Sequence, residues 1–347
     1  MINYNKLFII GNGFDLAHGL KTRYSDFFLW YFNKCISLIN LENKSFYNDN
    51  LINISLKSHE IKEFTSLESI NKYLKSDNIT LKFKNNFFET IFRKFTDLKW
   101  VNIEYEYYLK LIEVYDLNEK YKGTNIYNLE QRLKELNNCF NYIKEQIIEY
   151  LNTIEVNSSI YNEQIELHLK NEIFDPKIER NLFLVFNYTE TIELYLNELN
   201  VQNYQIIYIH GKLNDKENPI IFGYGDEMDE YYNKIERLNI NDFLTNIKSF
   251  NYFKTSNYRN LFLFLNLGYF NVNIMGHSCG ISDRILLNGI FTNQMCNLIK
   301  IFYHKINDND NDFFEKTQEI SRHFKAEEKN RMRNIIIPFT KSFPLTQ

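Results

Sequence analysis

The stretch Lys6-Leu7-Phe8-Ile9-Ile10-Gly11-Asn12-Gly13-Phe14-Asp15-Leu16-Ala17-His18-Gly19-Leu20 decides the fold. Leu7 to Ile10 is a continuous apolar run, short enough for a strand buried on both faces. Gly11-Asn12-Gly13 breaks it, and two glycines let a backbone or ligand approach closely. Helical spacing resumes from Asp15 and predicts one helix to Trp30. Strand, glycine turn and helix open a Rossmann-like α/β fold, in which the helix N-terminus is an anion site. The full G-x-G-x-x-G fingerprint is not met: Leu16 stands in its third place, and Gly19 comes too late.

Further strands are expected at Leu182–Phe186, Ile206–Ile209, Ile220–Phe222, Val272–Met275, Ile299–Tyr303 and Ile335–Ile337. Helical patterns lie between several of them, as in Glu190–Leu199 and Leu261–Tyr269. Alternation of this kind predicts a mostly parallel sheet, with ligands beyond the carboxyl ends of its strands. Gly11, Asn187, His210 and Gly276 each follow a strand-like run, which predicts that they meet in one site. The section Trp30–Glu179 reads as helical. Its clearest helix carries Leu129, Leu133, Leu136, Phe140, Ile143, Ile147, Leu151 and Ile154 on one face. The Asn- and Lys-rich breaks Asn40–Asn53 and Lys120–Asn125 read as loops. The expected architecture is a core of residues 1–30 and 181–347, with a large α-helical insertion, 31–180, after the first strand-helix unit.

At 347 residues and 44% apolar composition the chain can bury a sizeable core. A net charge of −4 argues against a broad nucleic-acid surface. Cys35, Cys139, Cys279 and Cys296 have no C-x-x-C spacing, so neither a zinc site nor a disulfide framework is signalled, and no metal is expected. No apolar run reaches the roughly 18 residues of a membrane span, and the first strand starts too early for a signal peptide. A reduced, cytoplasmic setting away from the membrane is the expectation.

Gly11 to Phe27, reading GNGFDLAHGLKTRYSDF, resembles the opening signature of the AbiH family, which is associated with abortive infection against phage. Phe186-Asn187-Tyr188-Thr189 with Glu193, Tyr208-Ile209-His210-Gly211, and Gly276-His277-Ser278 with Asp283 follow in the same order. That order also resembles the layout of sirtuin-like NAD-consuming proteins. The resemblance implies an infection-triggered hydrolase of the nicotinamide–ribose bond of NAD, with Asn187 and His210 catalytic. Gly11, Asn12, Gly13, Phe14, Asp15, Thr22, Gly276, His277, Ser278 and Asp283 would then hold the dinucleotide. It further implies a phage-derived trigger and either a homo-oligomer or a defence-system partner.

Each of these residues also has a plainer reading. Asn187 suits an N-cap or Asx turn, and Thr189 and Thr191 are further cap candidates. His210 suits a satisfied position at a strand tip; as a base it would act near neutrality. Asp15 matches the helix dipole, though a carboxylate there repels a pyrophosphate; Thr22 and Arg23 are alternative phosphate contacts. Asp283 would cap or support its own loop. Gly276-His277-Ser278-Cys279-Gly280 also satisfies the nucleophile elbow G-x-S-x-G. A serine hydrolase would need an acid and a histidine downstream: Asp283, five residues on, faces the wrong way for a triad, which leaves Asp308, Asp310 or Asp312 with His323 as partners of Ser278. A non-enzymatic nucleotide-binding sensor is the third reading. Phe222-Gly223-Tyr224-Gly225-Asp226 reads as a loop that could line the pocket, and Asp308–Asp312 as a solvated loop lacking the glycine a calcium loop requires.

Overall fold

The computed structural model describes residues 3–42, 44–57, 63–74, 79–98, 101–122 and 128–347. These form two compact units. One comprises Met1–Lys21, Ile154–Asp229 and Ile247–Gln347; the other comprises Thr22–Thr153 and Glu230–Asn246.

The first unit is built on a six-stranded sheet: β1 (Tyr4–Ile10), β2 (Ile178–Val185), β3 (Tyr204–Tyr208), β4 (Phe270–Met275), β5 (Cys296–Tyr303) and β6 (Phe343–Pro344). Every pairing is parallel, and the order is β6-β5-β4-β1-β2-β3. This is the strand order of dinucleotide-binding doubly wound sheets, so the fold is α/β and Rossmann-like. Its topological switch point lies between β1 and β4. Both faces are buried, which is why β1 and β2 read as unbroken apolar runs. Leu7, Ile9, Leu182, Leu184, Val272 and Ile274 pack on one face against helices Asn257–Leu265 and Arg284–Phe291. Phe8, Ile10, Phe183 and Val185 pack on the other against helices Glu163–Ile173 and Thr191–Glu198. An ion cluster crosses this second layer. Glu172 accepts from Lys6 of β1 at 2.6 Å, Asn273 of β4 at 3.0 Å and Lys300 of β5 at 2.5 Å.

The expected helix from Asp15 to Trp30 is two helices, Asn12–Ala17 and Tyr24–Leu41, because Gly19 turns left-handed at φ +75° between them. Ile220–Phe222 is buried but is not a strand; the backbone turns so that the Ile221 N–H donates to the His210 carbonyl at 2.8 Å. Ile335–Ile337 is not a strand either. Ile335 ends helix Lys329–Ile335, Ile336 makes a single bridge to Ile299, and Pro338 ends further pairing. The edge position is taken by β6 instead. The expected loop at 308–312 is partly a two-stranded ribbon, Lys305–Asn307 with Asp310–Asn311.

The second unit has helices Tyr24–Leu41, Leu67–Leu74, Asn86–Leu98, Ile103–Lys120, Leu129–Leu151 and Glu230–Arg237. Helix Leu129–Leu151 buries Leu133, Leu136, Phe140, Ile143, Ile147 and Leu151, the stripe its spacing predicts. The section is not purely helical: Phe46–Asn48, Ile52–Leu56 and Ile79–Phe83 form an antiparallel sheet. The loop expected at Asn40–Asn53 therefore contains a strand and its turn. Asp49 fixes that turn, accepting from Tyr31 at 2.6 Å, Tyr47 at 3.0 Å, and the N–H groups of Leu51 and Ile52 at 2.8 and 2.9 Å. The loop expected at Lys120–Asn125 lies, beyond Lys122, outside the described residues.

Candidate functional site

The turns that follow β1 and β4 meet at the switch point and press directly on each other. Gly11 N–H donates to Met275 O at 3.1 Å, and Gly13 N–H to Gly276 O at 2.7 Å. A Cβ on Gly11 would stand 2.7 Å from His277 Cβ, and one on Gly13 the same distance from Gly276 O. Gly276 adopts φ +75°, and a Cβ there would meet Phe14 Cα at 2.8 Å. The glycines are thus required for close approach of backbone to backbone. The N–H groups of Gly11, Gly13 and Phe14 all reach protein carbonyls, the last that of Gly11 at 2.8 Å.

Asn12 of the opening signature is exposed, whereas Phe14, Asp15 and His18 are buried structure. Phe14 packs on His18 and Tyr195. His18 contacts the Phe14 carbonyl through Nδ1 at 2.6 Å and the Tyr195 hydroxyl through Nε2 at 2.5 Å. Asp15 is 1% exposed, and its carboxylate accepts from Thr189 at 2.6 Å and Thr191 at 2.7 Å. Burial pushes its carboxyl above the usual range, and the two hydroxyls partly offset that. Asp15 therefore ties the first helix to the segment after β2, and Thr189 and Thr191 bond to it rather than capping a helix. Thr22 lies in the second unit.

Asn187, two residues beyond β2, is 7% exposed. Its amide lies near Asp15 and helps hold that charge, yet neither amide atom makes a hydrogen bond of full geometry. It is neither an N-cap nor an Asx turn. His210, two residues beyond β3, is 5% exposed. Its Nε2 stands 3.2 Å from Asp283 Oδ1 and 3.3 Å from the Tyr252 hydroxyl, and the Phe186 ring meets it edge-on. Lys248, 1% exposed, donates to Asp283 Oδ1 at 2.8 Å. His277 approaches Asp283 Oδ2 at 3.6 Å through Nε2, while its Nδ1 accepts from Cys279 N–H at 2.9 Å. One carboxylate thus faces an ammonium and two imidazoles.

The charges follow from these contacts. Burial works against the Asp283 anion, but Lys248, His210 and His277 outweigh it and hold the carboxyl well below the usual carboxylate range. Burial, reinforced by Lys248, lowers His210 to about 4 against the opposing pull of Asp283. A neutral imidazole beside a carboxylate places its proton on Nε2 and its lone pair on Nδ1.

Ser278 is exposed, and its Oγ accepts from Gly280 N–H at 3.4 Å. The left-handed residue of this turn is its neighbour Cys279, at φ +58°. His323 contacts the Cys279 carbonyl at 2.8 Å through Nε2 rather than Ser278, and its Nδ1 is buried without a partner. Gly225 presses on Ser282, where a Cβ would lie 2.8 Å from its carbonyl, and Asp226 accepts from Arg284 at 3.1 Å.

The strand ends thus bring together Gly11, Gly13, Gly276 and His277, and bring Asp283 to His210 and His277. Each is a residue of the motifs read from the sequence. The family described as Bacteriophage abortive infection AbiH matches residues 7–305. The chain belongs to this family. A comparison with the curated proteins found no match. Membership in AbiH supports a role in abortive infection, the defence in which infected cells limit phage. The AbiH match extends across both units and takes in all the residues of the buried cluster. Lys248 and Tyr252 are members of that cluster which sequence reasoning missed. They sit in a helix of four residues and the 3-10 turn that follows, where no strand end or glycine marks them. Among the described residues no group of three or more His, Cys, Asp or Glu is placed to hold a metal, and no helix is long and apolar enough to cross a membrane.

Proposed function

We propose that this AbiH protein acts in phage defence by hydrolysing the nicotinamide–ribose bond of NAD once infection triggers it. The observation that carries the reading is the Asn187 amide, buried with neither of its polar atoms paired. The amide lies beside the Asp15 carboxylate without a hydrogen bond of full geometry, which leaves it bonding capacity that a ligand in the site would take up. An amide donates and accepts at once, which suits a ribose hydroxyl or an attacking water.

Cleavage breaks the bond from C1′ of the ribose to the pyridinium nitrogen. Nicotinamide leaves neutral, and the positive charge passes to an oxocarbenium-like sugar. Water adds its oxygen to C1′, and its proton passes to His210 Nδ1. A base lowered to about 4 is weak, and it suits a water that becomes acidic only as it attacks a cation. Gly11, Asn12, Gly13, Gly276 and Ser278 would border the dinucleotide. The N–H groups of Gly11 and Gly13 already reach protein carbonyls, so side chains and other amides would hold the phosphates.

That closed turn also favours a second reading, a sensor that binds a nucleotide without cleaving it. A serine hydrolase has less support, since His323 contacts the Cys279 carbonyl and not Ser278. Incubating protein purified from phage-infected cells with NAD separates the readings. Nicotinamide release that disappears in Asn187→Ala supports hydrolysis. NAD that stays bound and intact through long incubation supports the sensor, and labelling of Ser278 by a fluorophosphonate probe supports the serine hydrolase.

A further inference from the structure

Asp283, Lys248, His210, His277 and Tyr252 are placed by five different elements. Asp283 ends the 3-10 turn Ile281–Asp283, Lys248 begins helix Lys248–Asn251, Tyr252 begins the next 3-10 turn, and the two histidines follow β3 and β4. Within this cluster, Asp283, Lys248, His277 and Tyr252 are the titratable groups around His210, and Phe186 covers it with an apolar ring. A buried ion pair is a poor stabilising device, because desolvation consumes most of its attraction. An ammonium and an imidazole held on one carboxylate oxygen, with a second imidazole 3.6 Å from the other, instead make a device for orientation. The Lys248 ammonium keeps Asp283 charged, and a charged Asp283 accepts the Nε2 proton of His210 at 3.2 Å.

We propose that Asp283, with Lys248 as its buried counter-ion, is the positioning residue for His210: it fixes the imidazole as the Nε2–H tautomer and leaves Nδ1 as the proton-accepting atom. This rests on the reading of His210 as a base. The Tyr252 hydroxyl at 3.3 Å is the competing partner of Nε2. If the carboxylate is removed, that hydroxyl donates to Nε2, and the proton of the neutral ring moves to Nδ1.

The experiment is long-range proton–nitrogen NMR on the full chain labelled at histidine, with His210→Gln used for assignment. It compares wild type, Asp283→Asn, and the double variant Asp283→Ala with Lys248→Met, which removes both buried charges together. Wild type is expected to carry the His210 proton on Nε2. The Asp283→Asn variant keeps that tautomer, because its amide oxygen still accepts, and the double variant moves the proton to Nδ1. Nicotinamide release is read on the same proteins purified from phage-infected cells. In the double variant kcat falls about 100-fold or more with little change in KM, and Asp283→Asn retains more activity. A wild-type proton on Nδ1, or an unchanged tautomer in the double variant, overturns the proposal. The predicted tautomers without nicotinamide release support the positioning role and sink the NAD reading alone.

Discussion

The N–H of Gly13 donates to the carbonyl of Gly276 at 2.7 Å, and through this bond the two turns at the switch point of the sheet hold each other. Ligand crevices of doubly wound folds lie at this position. Here the glycines serve first to let one backbone approach another.

A methyl group at Gly276 therefore meets two obstacles, a φ of +75° and the Phe14 backbone. Gly276→Ala is expected to cost about 3 kcal/mol or more. Gly19→Ala is the control: Gly19 has the same φ of +75°, but a Cβ there meets nothing within 4 Å, so the loss should be nearer 1 kcal/mol. Urea unfolding of the two variants measures the difference, and equal losses would contradict the role of the Gly276 contact.

Glu172 joins helix Glu163–Ile173 to three strands through Lys6, Asn273 and Lys300. Burial opposes its charge, but Lys6 and Lys300 outweigh it and hold the carboxyl at about 2. A carboxyl lowered on folding contributes stability that is complete above its unfolded pKa of about 4.5 and is lost as pH falls toward 2. Wild type should therefore lose stability between pH 4.5 and 2, and Glu172→Ala should lose less over that window. At pH 7 the variant takes the carboxylate from the buried Lys6 ammonium and from the partly exposed Lys300, at a cost of about 3 kcal/mol. Urea midpoints at pH 7, 4 and 2.5 check both statements.

Asn187→Leu separates stability from function. The leucine side chain has nearly the shape of the amide and no polar atoms to leave unpaired. Leucine also withdraws the amide from the buried Asp15 carboxylate, which offsets that gain, so the variant should stay within about 1 kcal/mol of wild type. It should nonetheless lose phage protection, because the groups that would meet a ligand are gone. Wild-type stability with protection intact would show that the amide is not part of the site.

Much of this arrangement was legible in the sequence. β1, β2 and β4 are buried on both faces along their apolar runs, and Asn187 and Gly276 were placed by following those runs; His210 was placed by the shorter run Ile206–Ile209, which ends β3. Ile220–Phe222 carries the same signal without the strand, because burial and not pairing selects apolar residues there. The strand Phe46–Asn48 was hidden by its Asn-rich surroundings; of the four tyrosine and backbone partners named for Asp49, Tyr47, Leu51 and Ile52 are local, and Tyr31 comes from the preceding helix. Phe14 and Asp15 looked like ligand contacts because they belong, with His18, to one short signature. Their partners, Thr189, Thr191 and Tyr195, lie more than 170 residues away, beyond the reach of any local reading. Lys248 was illegible for the same reason, since its meaning comes wholly from Asp283.

The most direct test of the central claim is the amount of NAD and nicotinamide in bacteria through a phage infection, measured by mass spectrometry in cells expressing wild type, Asn187→Ala or His210→Ala. The account predicts that NAD falls and nicotinamide rises in wild type, and that neither changes in the two variants. Unchanged NAD in wild-type cells that are nonetheless protected against the phage would contradict it.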